Sequence, residues 1–186
     1  KVTYDGVEKT VRIMGFNHDE LTDKEAYGEG KTNTNAGISF EFVNFIKTAQ
    51  MNSVIDNTNG WGGMPLRTTL NNETELNKLE NISKIKQVNK TYLLGNGSKI
   101  TQISKDKIWL LSCSEIWNNG YNYTTGFYGC AMAKEGDQYK YYKDINATYN
   151  RGHEKLVKNS IGWWLRSPHF TGKEFFCDVR ERLLLR

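Results

Sequence analysis

Few residue sets in this chain have the type and spacing that catalysis needs. Gly30-Lys31-Thr32 matches the end of a phosphate-binding loop, but the first glycine of that motif falls on Glu25 and no strand leads into it. There is no G-x-S-x-G to present a nucleophilic serine and no H-E-x-x-H to hold zinc. His18, His153 and His169 lie too far apart to read as a zinc set. Cys177 with His169 is the remaining nucleophile pair. Cys177 stands in the apolar run Phe175-Phe176-Cys177, where burial raises a thiol's pKa and leaves it inert. The expectation is a chain that binds rather than catalyses.

Calcium is the one ion the sequence invites. Asn17, Asp19 and Asp23 fall in one polar stretch with Glu20, and a hard cation needs several oxygens close together. The bland alternative is that Asp19 caps a helical turn. Asp56-Asn57-Thr58-Asn59-Gly60 resembles part of an EF-hand loop, but Thr58 replaces an acid and no glutamate closes it. No obligatory cofactor is expected.

Trp61 sits among Gly60, Gly62 and Gly63. Glycines beside an aromatic can leave its face open for a sugar ring; the alternative is that Trp61 folds back to anchor its loop, since tryptophan is usually buried. Trp163-Trp164, if a strand, point to opposite faces. Arg166 shares the face of Trp164, where it can stack on that ring or pair with an acid. With Arg67, which follows in the Trp61 block, the candidate ligand-binding residues are Trp61, Arg67, Trp164 and Arg166.

These residues need elements to hold them. Val11–Phe16 alternates as a strand, and Asn17–Asn35 reads as a polar loop with at most one helical turn. Ile38, Phe40 and Phe42 alternate, while Phe42, Phe45 and Ile46 fit a helix, so a strand running into a helix is expected. Met64–Leu79 reads helical, with Pro65 in the first turn and a break near Asn71-Asn72. Ile82, Ile85 and Val88 continue a helical or irregular segment. Lys107–Leu111 reads as an apolar strand. Ser112 with Glu115 three residues later is a capping box for a short helix carrying Ile116 and Trp117. Asn118–Gly129 is another loop. Trp163–Leu165 and Phe175–Cys177 read as strands around a turn at Ser167–Gly172. Short strands, few helices and long loops make an α+β fold.

Composition fits that reading. The chain has 186 residues, which suits one domain, 1–186. Its 19 asparagines and 17 glycines favour turns. Net charge is only +4, with the lysines scattered among acids and one short basic run, Arg180–Arg186. A nucleic-acid partner is therefore not expected. No apolar run is long enough to cross a membrane. Starting at Lys1 without a leader, the chain reads as an excised piece of a larger protein. Cys113, Cys130 and Cys177 make an odd set with no C-x-x-C; buried free thiols are expected, with a Cys113–Cys130 bridge open in an oxidising compartment.

Several blocks carry a family resemblance: VRIMGFNHDEL (Val11–Leu21), NAGISFEF (Asn35–Phe42), MNSVIDNTNGWGGMPLRTTLNN (Met51–Asn72), VNKTYLLGNG (Val88–Gly97), DKIWLLSCSEIW (Asp106–Trp117), EGDQYKYY (Glu135–Tyr142) and GWWLRSP (Gly162–Pro168). Together they resemble an uncharacterised domain family of Gram-positive gut bacteria, the Firmicutes, over nearly the whole chain. That resemblance implies a secreted or surface-attached parent protein. The spacing of the L-L-S-x-x-E-I and W-W-L-R-S-P blocks is also similar to the C-type-lectin-like fold, in the branch of formylglycine-generating enzymes. It implies a small twisted antiparallel sheet with about two helices and long loops. The catalytic cysteines of those enzymes have no clear counterpart here. The expected function is a non-catalytic extracellular module that binds a glycan or a protein partner. A ligand-free spacer domain and a formylglycine-generating-type enzyme are the alternatives.

Overall fold

The computed structural model describes residues 1–26, 32–117, 133–147, 163–170, 172 and 176–179. Outside these fall the expected loop Asn118–Gly129, Cys130, His153, Phe175 and the basic end.

The described chain is α+β, and its strands all pair antiparallel. A hairpin of β1 (Val2–Tyr4) and β2 (Val7–Lys9) turns at Asp5-Gly6, both with positive φ, as a tight hairpin turn requires. Strand β3 (Val11–Phe16) pairs with β6 (Ile38–Phe42) as a ribbon. Strands β4 (Glu20–Ala26), β5 (Thr32–Asn35), β7 (Val88–Leu93) and β8 (Thr101–Asp106) form a sheet in the order β5-β4-β7-β8. Strands β9 (Trp163–Pro168) and β10 (Phe176–Val179) pair alone. Four short helices are described: α1 (Pro65–Leu70), α2 (Glu73–Leu76), α3 (Cys113–Ile116) and α4 (Lys140–Asp144). None of the described helices is long and apolar enough to cross a membrane.

Several local signals act as expected. Pro65 opens α1, and the break falls at Asn71-Asn72, where the Asn72 side chain accepts from the Glu75 N–H to start α2. The Ser112/Glu115 capping box is complete at α3, with Trp117 as the residue that ends it. Residues around Ile82 form a single 3-10 turn before β7.

Three expectations are corrected. The stretch Asn17–Asn35 is largely strand, β4 and β5, not loop. Among its described residues only Asp19 and Leu21 are buried, and backbone pairing carries the strands. The strand β6 does not run into a helix: the next helical turn begins at Trp61. The strand expected at Lys107–Leu111 lies earlier, over Thr101–Asp106. Residues Lys107 and Ile108 instead bind one side chain: their N–H groups donate to Asn71 Oδ1, at 2.8 and 3.2 Å, and Asn71 Nδ2 returns a bond of 2.7 Å to the Ile108 carbonyl. That carboxamide satisfies the backbone without a ladder.

Apolar residues gather in two clusters. One joins Met14, Ile116, Trp117, Tyr142, Leu165 and Val179; the other joins Met51, Trp61, Met64, Leu66, Leu70, Tyr92 and Phe176. The two tryptophans of β9 divide between them. Trp163 packs on the first and Trp164 on the second, as neighbours on a strand must.

Candidate functional site

A groove of about 580 Å³ opens beside the β3–β6 ribbon. Phe40 and Phe42 reach it from β6, Phe45 from the segment that follows, Trp109 and Leu110 from the segment clamped by Asn71, and Trp163 and Trp164 from β9. Asn33, Asn35, Asn44 and Thr48 add amide and hydroxyl groups to the lining. Aromatic walls with a few polar groups have the make-up of a small-ligand site. Trp164 is the one expected ligand-binding residue that lines it.

Trp61 and Arg67 are brought together, but on an internal acid. Trp61 is fully buried, and its indole N–H donates to Asp106 Oδ2 at 2.9 Å. Arg67 Nε meets Asp106 Oδ1 at 2.7 Å, and the Ser104 hydroxyl donates to Oδ2 at 2.7 Å. The glycines around Trp61 therefore serve closeness, not openness. A Cβ on Gly60, whose φ is +56°, would overlap the Leu93 carbonyl, and one on Gly62 would overlap the Tyr92 hydroxyl.

Arg166 is also fully buried and pairs with an acid rather than stacking on a ring. Its guanidinium donates to Glu115 Oε2 at 2.5 Å and to the carbonyls of Thr91, Leu110 and Glu135 at 3.0, 2.8 and 2.6 Å. Glu115 meets Lys90 Nζ on its other oxygen, at 2.5 Å, and Lys90 reaches Asp19 Oδ1 at 2.6 Å. Glu135 completes the network, accepting from the Leu93 N–H at 2.9 Å and bonding the Ser167 hydroxyl.

Asp19 is thus turned inward, with its oxygens taken by Lys90, Tyr139 and Ser39. Asn17 and Asp23 stay exposed. Among the described residues no group of three or more His, Cys, Asp or Glu side chains could hold a metal ion. The Asn17–Asp23 reading assumed a loop that folds back on itself; a strand from Glu20 onward sends neighbours to opposite faces instead. Cys113 and Cys177 are buried, and the Cys113–Cys130 bridge falls on a residue outside the described ones.

The two glutamates of the network titrate in opposite directions. Burial would raise Glu115, but the Arg166 and Lys90 charges override it and hold it at about 2. Burial pushes Glu135 up to about 7, and the Arg166 charge and its hydrogen bonds offset this only in part. A raised carboxyl stabilises the fold fully below the ordinary carboxylate range and loses that contribution as pH climbs to about 7; a lowered one stabilises above that range and loses it as pH falls toward 2. The urea midpoint should accordingly drop between pH 5 and pH 8, and Glu135→Gln should flatten that drop. Equal slopes for wild type and variant would refute the assignment.

One sign of this network is readable in the sequence. In β7, Val88, Lys90 and Tyr92 share the buried face, and a lysine in the inward register of a strand must be paired. Trp109, Phe40, Phe42, Phe45 and Trp163 went unread as groove residues because they converge from segments far apart in the chain.

A family model described as a domain of unknown function (DUF6273) matches residues 37–182. The chain belongs to the DUF6273 family. The DUF6273 region carries Lys90, Glu115, Glu135 and Arg166 of the network and most of the groove, whereas Asp19 and the Val11–Leu21 block precede it. No curated protein and no solved structure matches the chain.

Proposed function

We propose that this domain is a non-catalytic binding module of an extracellular or surface-attached protein, and that its ligand is a glycan seated in the aromatic groove. The observation that carries the reading is the lining itself. Phe40, Trp109, Trp163 and Trp164 offer ring faces on which sugar rings stack, and Asn33, Asn35, Asn44 and Thr48 offer donors and acceptors suited to hydroxyls. The buried ion pairs Lys90–Asp19, Lys90–Glu115, Arg166–Glu115 and Arg67–Asp106 lie outside the groove lining, which leaves the groove its aromatic and amide surface. An enzyme of the formylglycine-generating type needs a reachable thiol; among the described residues the cysteines are Cys113 and Cys177, and both are buried.

The test is a glycan-array screen with calcium and again with EDTA, followed by titration of the best ligand. Trp164→Ala should weaken binding about tenfold or more, equivalent to about 1.4 kcal/mol. Trp61→Phe should leave affinity unchanged. Binding should persist in EDTA, because Asp19 is committed to Lys90. An array silent in both conditions removes the glycan and shifts the search to a protein partner. Undiminished affinity in Trp164→Ala removes the groove.

A further inference from the structure

Lys90 has the surroundings of a reactant. Its ammonium is buried, with only 4% of the side chain exposed, against Asp19 at 2.6 Å on one side and Glu115 at 2.5 Å on the other. The rings of Trp109 and Tyr139 lie 4.8 and 5.3 Å from Nζ and exclude water. The two carboxylates are not equivalent. Glu115 is gripped on Oε2 by the Arg166 guanidinium and by the Ser112 N–H, which keeps it anionic and a poor electrophile, and its Oε1, 2.5 Å from Nζ, is the neighbouring proton acceptor. Asp19 has no guanidinium. It receives neutral hydroxyl donors, Tyr139 on both oxygens at 2.8 Å and Ser39 on Oδ2, which polarise its carbonyl carbon toward attack.

We infer that Lys90 and Asp19 condense to an intramolecular amide, with Glu115 as the base. Glu115 takes one proton from the ammonium, and the free amine adds to Asp19 Cγ. The Tyr139 hydroxyl, 3.1 Å from Nζ and 2.8 Å from either Asp19 oxygen, relays a proton from nitrogen to the departing oxygen, and Glu115 returns the one it took. One C–N bond forms, one C–O bond breaks, and water leaves. The ion pair supplies every atom: three N–H protons and two carboxylate oxygens become one amide N–H, one carbonyl and one water. Charge stays balanced, because one charge of each sign disappears and Arg166 remains beside Glu115. Holding the reacting groups in contact is the condition under which such a step runs without external activation. The product ties the start of β4 to β7 across 71 residues of chain.

Intact mass of the purified protein under denaturing conditions decides it. The expected mass is one water below that of the sequence, and a protease digest should yield one branched peptide joining the Lys90 and Asp19 segments. Lys90→Arg and Asp19→Ala should restore the full mass, and Tyr139→Phe should slow the loss of water in freshly refolded protein. A succinimide at Asp5-Gly6 would also remove one water, but it reopens in mild alkali and leaves no branched peptide. Wild type at full mass, or a light form that survives Asp19→Ala, overturns the inference, and the wild-type measurement stands whether or not the variants fold.

Discussion

Arg166→Met should cost this domain about 3–5 kcal/mol, the loss expected when one member of a buried ion pair is removed. For a domain with ordinary stability of about 5–15 kcal/mol that is a large fraction of the total. The effect is large because Arg166 answers several groups at once. Its loss takes the guanidinium donors from the carbonyls of Thr91, Leu110 and Glu135 and leaves Glu115 with Lys90 as its one cation, beside the Ser112 N–H. Urea denaturation measures it. A second variant isolates the charge pair: Arg166→Met with Glu115→Gln should cost clearly less than the two single changes added, because both remove the same interaction. Strict additivity would show that Arg166 acts through packing rather than through Glu115.

Trp61→Ala should cost about 3–5 kcal/mol as well, by emptying a buried site. Here the result separates two roles that the sequence left open. Trp61 is fully buried on Met51, Met64 and Tyr92, and its one polar atom is spent on Asp106. Trp61→Phe should cost less, since the ring volume is largely kept and Asp106 retains Arg67 and Ser104. Thermal melts of the two variants order them. If Trp61→Ala melts like wild type, the ring is not a core element, and the open-face reading returns.

The sequence was legible where local rules decide structure. The Ser112/Glu115 box, Pro65 and the Asn72 cap act over three or four residues, and each sits where its chemistry placed it. β3, β6 and β9 were legible because they alternate or carry apolar runs. β4, β5 and β8 were not, since backbone pairing holds them while their side chains stay mostly polar. The glycines beside Trp61 show how one pattern serves opposite ends. Absence of a Cβ can open a ring to solvent or let backbone press against it, and only the neighbours Leu93 and Tyr92 decide which. The same holds for the site. Trp164 could be named from its strand, but the groove needs Phe40, Trp109 and Trp163 to arrive from elsewhere. Asp19 reads as an oxygen ligand in the sequence; that its partner is Lys90 follows only from the meeting of β4 and β7.

That meeting is narrow. The β4–β7 ladder has a single register pair, Leu21 with Val88, flanked by the Thr22 N–H to the Gln87 carbonyl and by Asn89 to Glu20, whereas β7 and β8 stay in register from Val88–Asp106 to Leu93–Thr101. The ladder of the four-stranded sheet is therefore thinnest at this seam. A sub-global opening that leaves β7–β8 intact would start there, and such openings are where a native protein is first reached by proteases. Asp19 sits beside that seam, so whatever bond it makes to Lys90 sets how often the amino-terminal unit lets go.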